Sequence, residues 1–189
     1  MSNPEKMRRQ LRLSRPSLRR EARPPRLRTA PGEAFSAANL ACSLALRQCM
    51  DCGGLQYPPQ EVCAHCLGGE LVWRPCPGDG TLLSAVDLHS SLWEFFRRRL
   101  EEAPLAVASV RLKAGVTVFA HLHTGSFGAN CAADVSLHSA VTVFSHTDCS
   151  ERSILIAVAA GTPVHRREAR HALAADLGLL EPAIKAEGI

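Results

Sequence analysis

Between residues 37 and 47 the apolar positions Ala37, Leu40, Ala41 and Leu44 recur at spacings of three and four, the stripe of one helical face. The pattern predicts a helix over 37–47, with Ser36 as its N-cap and Phe35 stapled onto Leu40. Beyond residue 80 the period changes to two. Thr81–Leu88 places Leu82, Val86 and Leu88 on one face; Val116–Leu122 places Val116, Val118, Ala120 and Leu122 on one face, with Thr117, Phe119 and His121 opposite. Leu105–Leu112, Ser139–Phe144 and Ile154–Ala159 read as further strands, and the link Lys113-Ala114-Gly115 suits a three-residue hairpin with glycine in the left-handed position. Five short strands fit a small, partly open barrel of the OB type better than a sandwich, which needs about seven. Thr162-Pro163 then marks a helix start, with Leu173 and Leu177 along one side and Gly178 at the stop.

Between the helical and the alternating regions stand two pairs, Cys49-x-x-Cys52 and Cys63-x-x-Cys66. A Cys-x-x-Cys turn brings two thiolates to one ion, and two such turns facing each other complete a tetrahedron. Gly53-Gly54 and Gly68-Gly69 follow the pairs, where glycine lets the chain turn back and aim backbone N–H groups at the sulfurs. A disulfide framework and a redox pair are the alternatives, and the double motif with both glycine exits favours zinc over them. Four thiolates leave no place for water, so the metal is expected to be structural and to do no chemistry. Leu55–Val62, with Pro58 and Pro59, has room for a small hairpin or tight loop between the knuckles, and the ribbon should end near Trp73.

The chain is 46% apolar over 189 residues, enough for a real core. Eight cysteines without a secretory segment point to a reducing compartment, the cytoplasm. The net charge of +4 conceals an asymmetry: residues 1–35 hold ten Lys or Arg against three Glu, so the rest of the chain is acidic. Nucleic-acid binding argued from overall charge would therefore rest on this arm alone. Its five prolines and Arg-rich composition suggest a flexible arm; contact with an acidic partner or polyanion, or a targeting peptide, are the functional alternatives.

Ser90–Pro104 is the richest loop: Trp93, Phe95 and Phe96 precede Arg97, Arg98 and Arg99. Such a group could stack on an adenine and pair phosphates, whether of coenzyme A or of single-stranded nucleic acid. It could equally be an amphipathic helix capping the barrel, or a docking surface for a partner protein. The histidines show no spacing that joins them to a carboxylate and a nucleophile. Cys42, Cys76, Cys131 and Cys149 are unpaired in sequence and read as small apolar residues, with Cys131 a remote candidate thiol. No catalytic residue is assigned.

The run Arg47-Gln-Cys49-x-x-Cys52-Gly53-Gly54-Leu55-Gln-Tyr57-Pro58-Pro59, followed by Val62-Cys63-x-x-Cys66, Trp73, Gly-x-Gly-Thr81 and strands, resembles the zinc-ribbon/OB-fold acyl-CoA-associated family, a domain of unknown function. The resemblance covers about residues 34–160 and includes Asp134-Val-Ser-Leu137. Over that range it implies a mainly β chain of an N-terminal helix (34–48), a rubredoxin-like zinc ribbon (49–75) and a five-stranded OB-fold barrel (76–160), which a basic, flexible arm (1–33) precedes and a C-terminal helix and tail (161–189) follows. It also implies a non-catalytic accessory subunit of a thiolase-like complex, where a thiolase, acyltransferase or aldolase partner acts on acyl-CoA and this chain helps bind or pass the coenzyme A thioester. The alternative is a single-stranded nucleic-acid-binding protein of the same architecture. The Arg-rich arm, the aromatic and triple-Arg insertion and the extended C-terminal helix depart from the family pattern.

Overall fold

The computed structural model describes residues 29–40, 44–91, 97, 99–101, 103–125, 135–147 and 153–179. Within them the chain forms α1 (Ala30–Leu40), then the ribbon strands β1 (Ala45–Cys49), β2 (Leu55–Gln56) and β3 (Leu71–Pro75). The barrel strands follow, β4 (Asp79–Leu88), β5 (Leu105–Leu112), β6 (Thr117–Leu122), β7 (Ala140–Thr147) and β8 (Ser153–Ala159), and then α2 (Arg167–Asp176). The ribbon is a three-stranded sheet in the order β2-β1-β3; the rest closes as β4-β5-β6-β8-β7, with β6 and β8 parallel and the remaining barrel pairs antiparallel. Closure removes the open edges that a five-stranded sheet would otherwise present to other chains.

The alternation in Val116–Leu122 sets its inward residues as expected: Val116, Val118, Ala120 and Leu122 are all buried. Facing them from β5 are Ala108, Val110 and Leu112, and from β7 Val141 and Val143. The Lys113-Ala114-Gly115 link is a tight hairpin; the Gly115 N–H donates to the Leu112 carbonyl at 2.9 Å and Gly115 has φ 88°, where a side chain would be strained. Val86 departs from its expected place. The β4–β5 register shifts between Leu82 and Ser84, so Leu82 is buried against Val110 while Val86 lies opposite Val107 and is 66% exposed. One extra residue in a strand moves every later side chain to the other face.

The helix expected over 37–47 forms earlier, over Ala30–Leu40, and Ala45–Cys49 is a strand paired with Leu71–Pro75. The apolar stripe is ambiguous because a run of buried residues serves a strand as well as a helix, and here the partner strand, 22 to 30 residues away at the paired positions, decides. Ser36 accordingly does not cap the helix start. From inside α1 its hydroxyl accepts the Ser153 N–H (3.3 Å), and the Ser153 hydroxyl donates to the Ser36 carbonyl (3.3 Å), tying the helix to β8. Phe35 packs on ribbon aromatics, with ring centroids 6.1 Å from Tyr57 and 6.0 Å from Trp73.

Asn39, which no sequence pattern singled out, is the joint between helix and ribbon. Its amide donates to the carbonyls of Phe35 (2.9 Å) and Ala45 (3.1 Å), and its oxygen accepts the Ala45 N–H at 2.8 Å. The N–H and C=O of Ala45 point away from β3, to the side of β1 where β2 pairs only with Arg47 and Gln48, so the side chain supplies what the ladder does not. Phe35, Leu44, Leu46 and the inward barrel residues form one continuous core, onto which Leu55, Tyr57 and Trp73 of the ribbon pack. Ribbon, α1 and barrel thus share one core.

α2 covers the outer face of the barrel, burying Leu173, Ala174 and Leu177 against Leu105, Phe144, Ile156 and Val158. It begins at Arg167, four residues beyond Pro163, and ends at Gly178, whose φ of 66° reverses the chain and lets its N–H reach the Ala175 carbonyl (2.8 Å). No helix among the described residues is long and apolar enough to cross a membrane.

Candidate metal centre

The first knuckle grows from the end of β1. The Cys49 N–H donates to the Gly54 carbonyl and the Gly53 N–H to the Cys49 carbonyl, both at 2.9 Å, closing the turn around Gly53 at φ 71°. Gln48 holds the same turn from its side chain, donating to the Gly53 carbonyl at 3.0 Å. The second knuckle repeats the pattern: the Cys63 N–H donates to the Gly68 carbonyl (2.8 Å) and the Leu67 N–H to the Cys63 carbonyl (3.0 Å).

The repeat differs in one residue. Sequence reasoning placed the left-handed exit of the second knuckle on Gly68-Gly69, but the residue with positive φ is Leu67, at 63°. An L side chain in that region costs roughly 1–2 kcal/mol. Gly68 lies under the Asp51 carboxylate, the end of an exposed side chain that a Cβ there would displace.

Two further side chains position the bridge between the knuckles. Gln56 is buried; its oxygen accepts the Ala64 N–H (3.0 Å) and its amide donates to the Val62 carbonyl (3.3 Å), fastening β2 to the second knuckle. Arg47 donates to the carbonyls of Gln60 (2.7 Å) and Leu71 (3.2 Å), with its guanidinium 5.6 Å from the Trp73 ring centroid. Both stand in the run that carries the family resemblance, but their roles left no signal in sequence, because their partners are backbone groups that only folding brings near.

The result is a closed set of donors. The sulfurs of Cys49, Cys52, Cys63 and Cys66 all lie within 4.8 Å of one another, with Cys49 to Cys66 at 3.5 Å and Cys52 to Cys63 at 3.6 Å. Zinc–sulfur bonds of about 2.3 Å in a tetrahedron separate sulfurs by about 3.8 Å, so these two pairs are within a few tenths of an ångström of the spacing zinc requires and the whole quartet within about 1 Å. Cys49 and Cys63 are buried and Cys52 and Cys66 exposed. The backbone N–H groups of Cys66 and His65 hold the Cys63 thiol down to about 6. Cys66 receives the Gly68 N–H, which lowers it, but the surrounding thiols of Cys49, Cys52 and Cys63, with burial, outweigh this and push it up to about 12. Cys52 is also raised, its Gly54 N–H contact outweighed by the Cys63 thiol and by burial. Four thiolates this close need a cation to neutralise them.

Residues 43–72 match the family model of the ChsH2 rubredoxin-like zinc ribbon domain. The segment is similar to the ChsH2 zinc ribbon. A solved chain of an Ltp2-ChsH2(DUF35) aldolase is similar in fold over 70% of this chain and 97% of its own, with a TM-score of 0.55 at 20% identity. A protein of unknown function from the DUF35 family of Sulfolobus solfataricus covers 84% of this chain and 99% of its own, at 12% identity and a TM-score of 0.40. No curated protein matches the sequence. Cys49, Cys52, Cys63 and Cys66 form the four-cysteine group of a zinc-ribbon site, a donor set suited to structural zinc with no open position for a substrate.

The second group of candidates is only partly described. Trp93, Phe95, Phe96 and Arg98 lie outside the described residues. Arg97 is exposed and helical. Arg99 is turned onto its own chain, with Nε donating to the Leu177 carbonyl at 2.6 Å and Nη1 to the Ala103 carbonyl at 3.1 Å. The structure also unites two residues that sequence spacing left apart. His123, 4% exposed in its side chain, has Nε2 2.6 Å from Asp176 Oδ2, so the end of β6 and the end of α2 are bonded.

Proposed function

We propose that this chain is a non-catalytic accessory subunit of a thiolase-like complex acting on acyl-CoA, stabilising the partner and helping bind or channel the coenzyme A thioester. The observation that carries the reading is the joining of a ChsH2-type ribbon and a closed barrel through one core, in a fold shared with a chain of an aldolase named for two components, Ltp2 and ChsH2. The ribbon's metal is saturated by thiolates, so it braces surfaces and leaves the chemistry to a partner.

Within this reading Trp93, Phe95 and Phe96 contact the partner or the adenine, and Arg97 and Arg98 the phosphates. Arg99, part of the same group, anchors the loop by its bonds to the Leu177 and Ala103 carbonyls and keeps further N–H donors for phosphate. The test is turnover. The isolated chain should leave acyl-CoA unchanged, while addition to its partner should raise the partner's activity, and Arg97→Ala with Arg98→Ala should raise the KM for acyl-CoA several-fold at unchanged assembly. Equal KM and equal activity with and without the chain would defeat the reading. Binding to single-stranded oligonucleotides that weakens steeply with salt and survives deletion of residues 1–33 would instead establish the nucleic-acid alternative.

A further inference from the structure

We propose that the knuckle end of the zinc ribbon is a docking surface, and that its occupant is the Arg-rich segment 1–28 of this same chain. The knuckle end carries three exposed large apolar residues: Met50 at 55%, Val62 at 47% and Leu67 at 76%. The knuckles that bear Met50 and Leu67 meet each other. The Met50 N–H donates to the Glu70 carbonyl at 2.8 Å, and the Asp51 carboxylate lies against Gly68, the neighbour of Leu67. Leu67 is unfavourable twice over, with its backbone in the left-handed region and its side chain in water. A residue kept in that state is expected where another segment covers it.

The surface around these residues is anionic. Asp51, Glu61 and Glu70 are exposed, and a zinc ion bound by four thiolates keeps a formal charge of −2. The arginines of the ribbon do not neutralise it. Arg47 is spent on the Gln60 and Leu71 carbonyls and the Trp73 ring, and Arg74 lies opposite Leu46, away from the knuckles along β3.

Residues 1–28 are the complement, with ten Lys or Arg against two Glu and with Met7, Leu11, Leu13, Leu18 and Leu27 interspersed. They are also tethered beside the ribbon. α1 starts at Ala30, and Phe35 on it touches Tyr57 and Trp73, so Thr29 lies about two helical turns or less from a ribbon contact. Twenty-eight residues can span up to roughly 90 Å, and a tether of this kind gives an effective concentration on the order of a millimolar. A contact too weak to hold a free peptide is then sufficient to seat this one.

The test uses the zinc-loaded full chain and NMR. A variant with Arg8, Arg9, Arg12 and Arg15 changed to Ser should shift the amide signals of Met50, Asp51, Leu67 and Glu70 and leave those of Val110 and Val118 in place. Raising salt from about 50 mM to about 500 mM should produce the same shifts in the wild type, at a position independent of protein concentration. Leu67→Ser, and Glu70→Lys as a variant that leaves the knuckle backbone alone, should each lower the bound population at least about fivefold, with zinc content unchanged. Identical knuckle signals in the wild type and the arginine variant at low salt would overturn the proposal. So would shifts that grow with protein concentration, which place a second copy on the surface, or shifts that arise only when a thiolase-fold partner is added.

Discussion

The ring of Phe35 on α1 stands 6.0 Å from that of Trp73 on β3, and this contact carries the ribbon's order into the rest of the molecule. Trp73 is held in turn by Arg47, which also holds the bridge between the knuckles. Zinc, knuckles, bridge, Trp73, α1 and β8 therefore form one mechanical series. Structural zinc in such sites stabilises the fold by about 10 kcal/mol or more. Chelation should remove one zinc per chain and speed hydrogen exchange at the amides of Phe35 and Asn39 far more than at Val118 in the barrel. Equal protection before and after chelation would mean that α1 does not depend on the metal.

Metal binding should release protons, and the two kinds of thiol set its pH dependence. Near pH 7 Cys63, held down to about 6, is already largely ionised, whereas Cys66, pushed up to about 12, and Cys52, also raised, carry their protons. Zinc takes thiolates, so binding displaces the protons of Cys52 and Cys66 at neutral pH, and affinity rises with pH. Below about 6 Cys63 protonates as well and the dependence steepens. Calorimetry in buffers of different ionisation enthalpy reads the proton count directly; zinc uptake without proton release at pH 7 would contradict this ordering.

At high salt, where the Arg-rich segment does not cover Leu67, Leu67→Gly should stabilise the zinc-loaded chain by about 1 kcal/mol, since glycine occupies the left-handed region without the Cβ cost. Leu67→Val should destabilise it, because β-branching adds to the strain. Denaturant unfolding of both variants against the wild type measures the pair, and a Gly variant less stable than the Leu would show that the side chain makes contacts that outweigh its strain.

Arg99 and Gly178 are matched across the end of α2. A Cβ on Gly178 would meet the Arg99 side chain, and φ of 66° there adds backbone strain. Gly178→Ala should therefore cost roughly 1–3 kcal/mol. Arg99→Ala removes a charged donor from the Leu177 carbonyl and should cost a similar amount, about 1.5–3 kcal/mol. Combined, the two changes should cost less than their sum, because the alanine methyl no longer meets the arginine. Thermal unfolding of the two single variants and the double variant checks this; simple additivity would disprove the contact.

What sequence could reveal followed from locality. The cysteine quartet, the Gly115 hairpin and the inward face of Val116–Leu122 each depend on spacing within a few residues, and the structure realises them as read. Ala45–Cys49 was misread because its partner, Leu71–Pro75, lies beyond the two knuckles, and Val86 because a one-residue register shift leaves no mark in an apolar alternation. His123 and Asp176, 53 residues apart, and Asn39 with its backbone partners became visible only once the barrel had closed. In each case the deciding term was a tertiary contact, which no periodicity encodes.

The central claim, that this chain serves a thiolase-fold enzyme, is tested most directly by purifying the tagged full chain under native conditions and identifying what stays bound by mass spectrometry. The account predicts a stoichiometric thiolase-fold subunit whose acyl-CoA turnover depends on this chain. A zinc-loaded chain recovered alone, neither binding nor changing any thiolase-fold enzyme from its own cell, would contradict it.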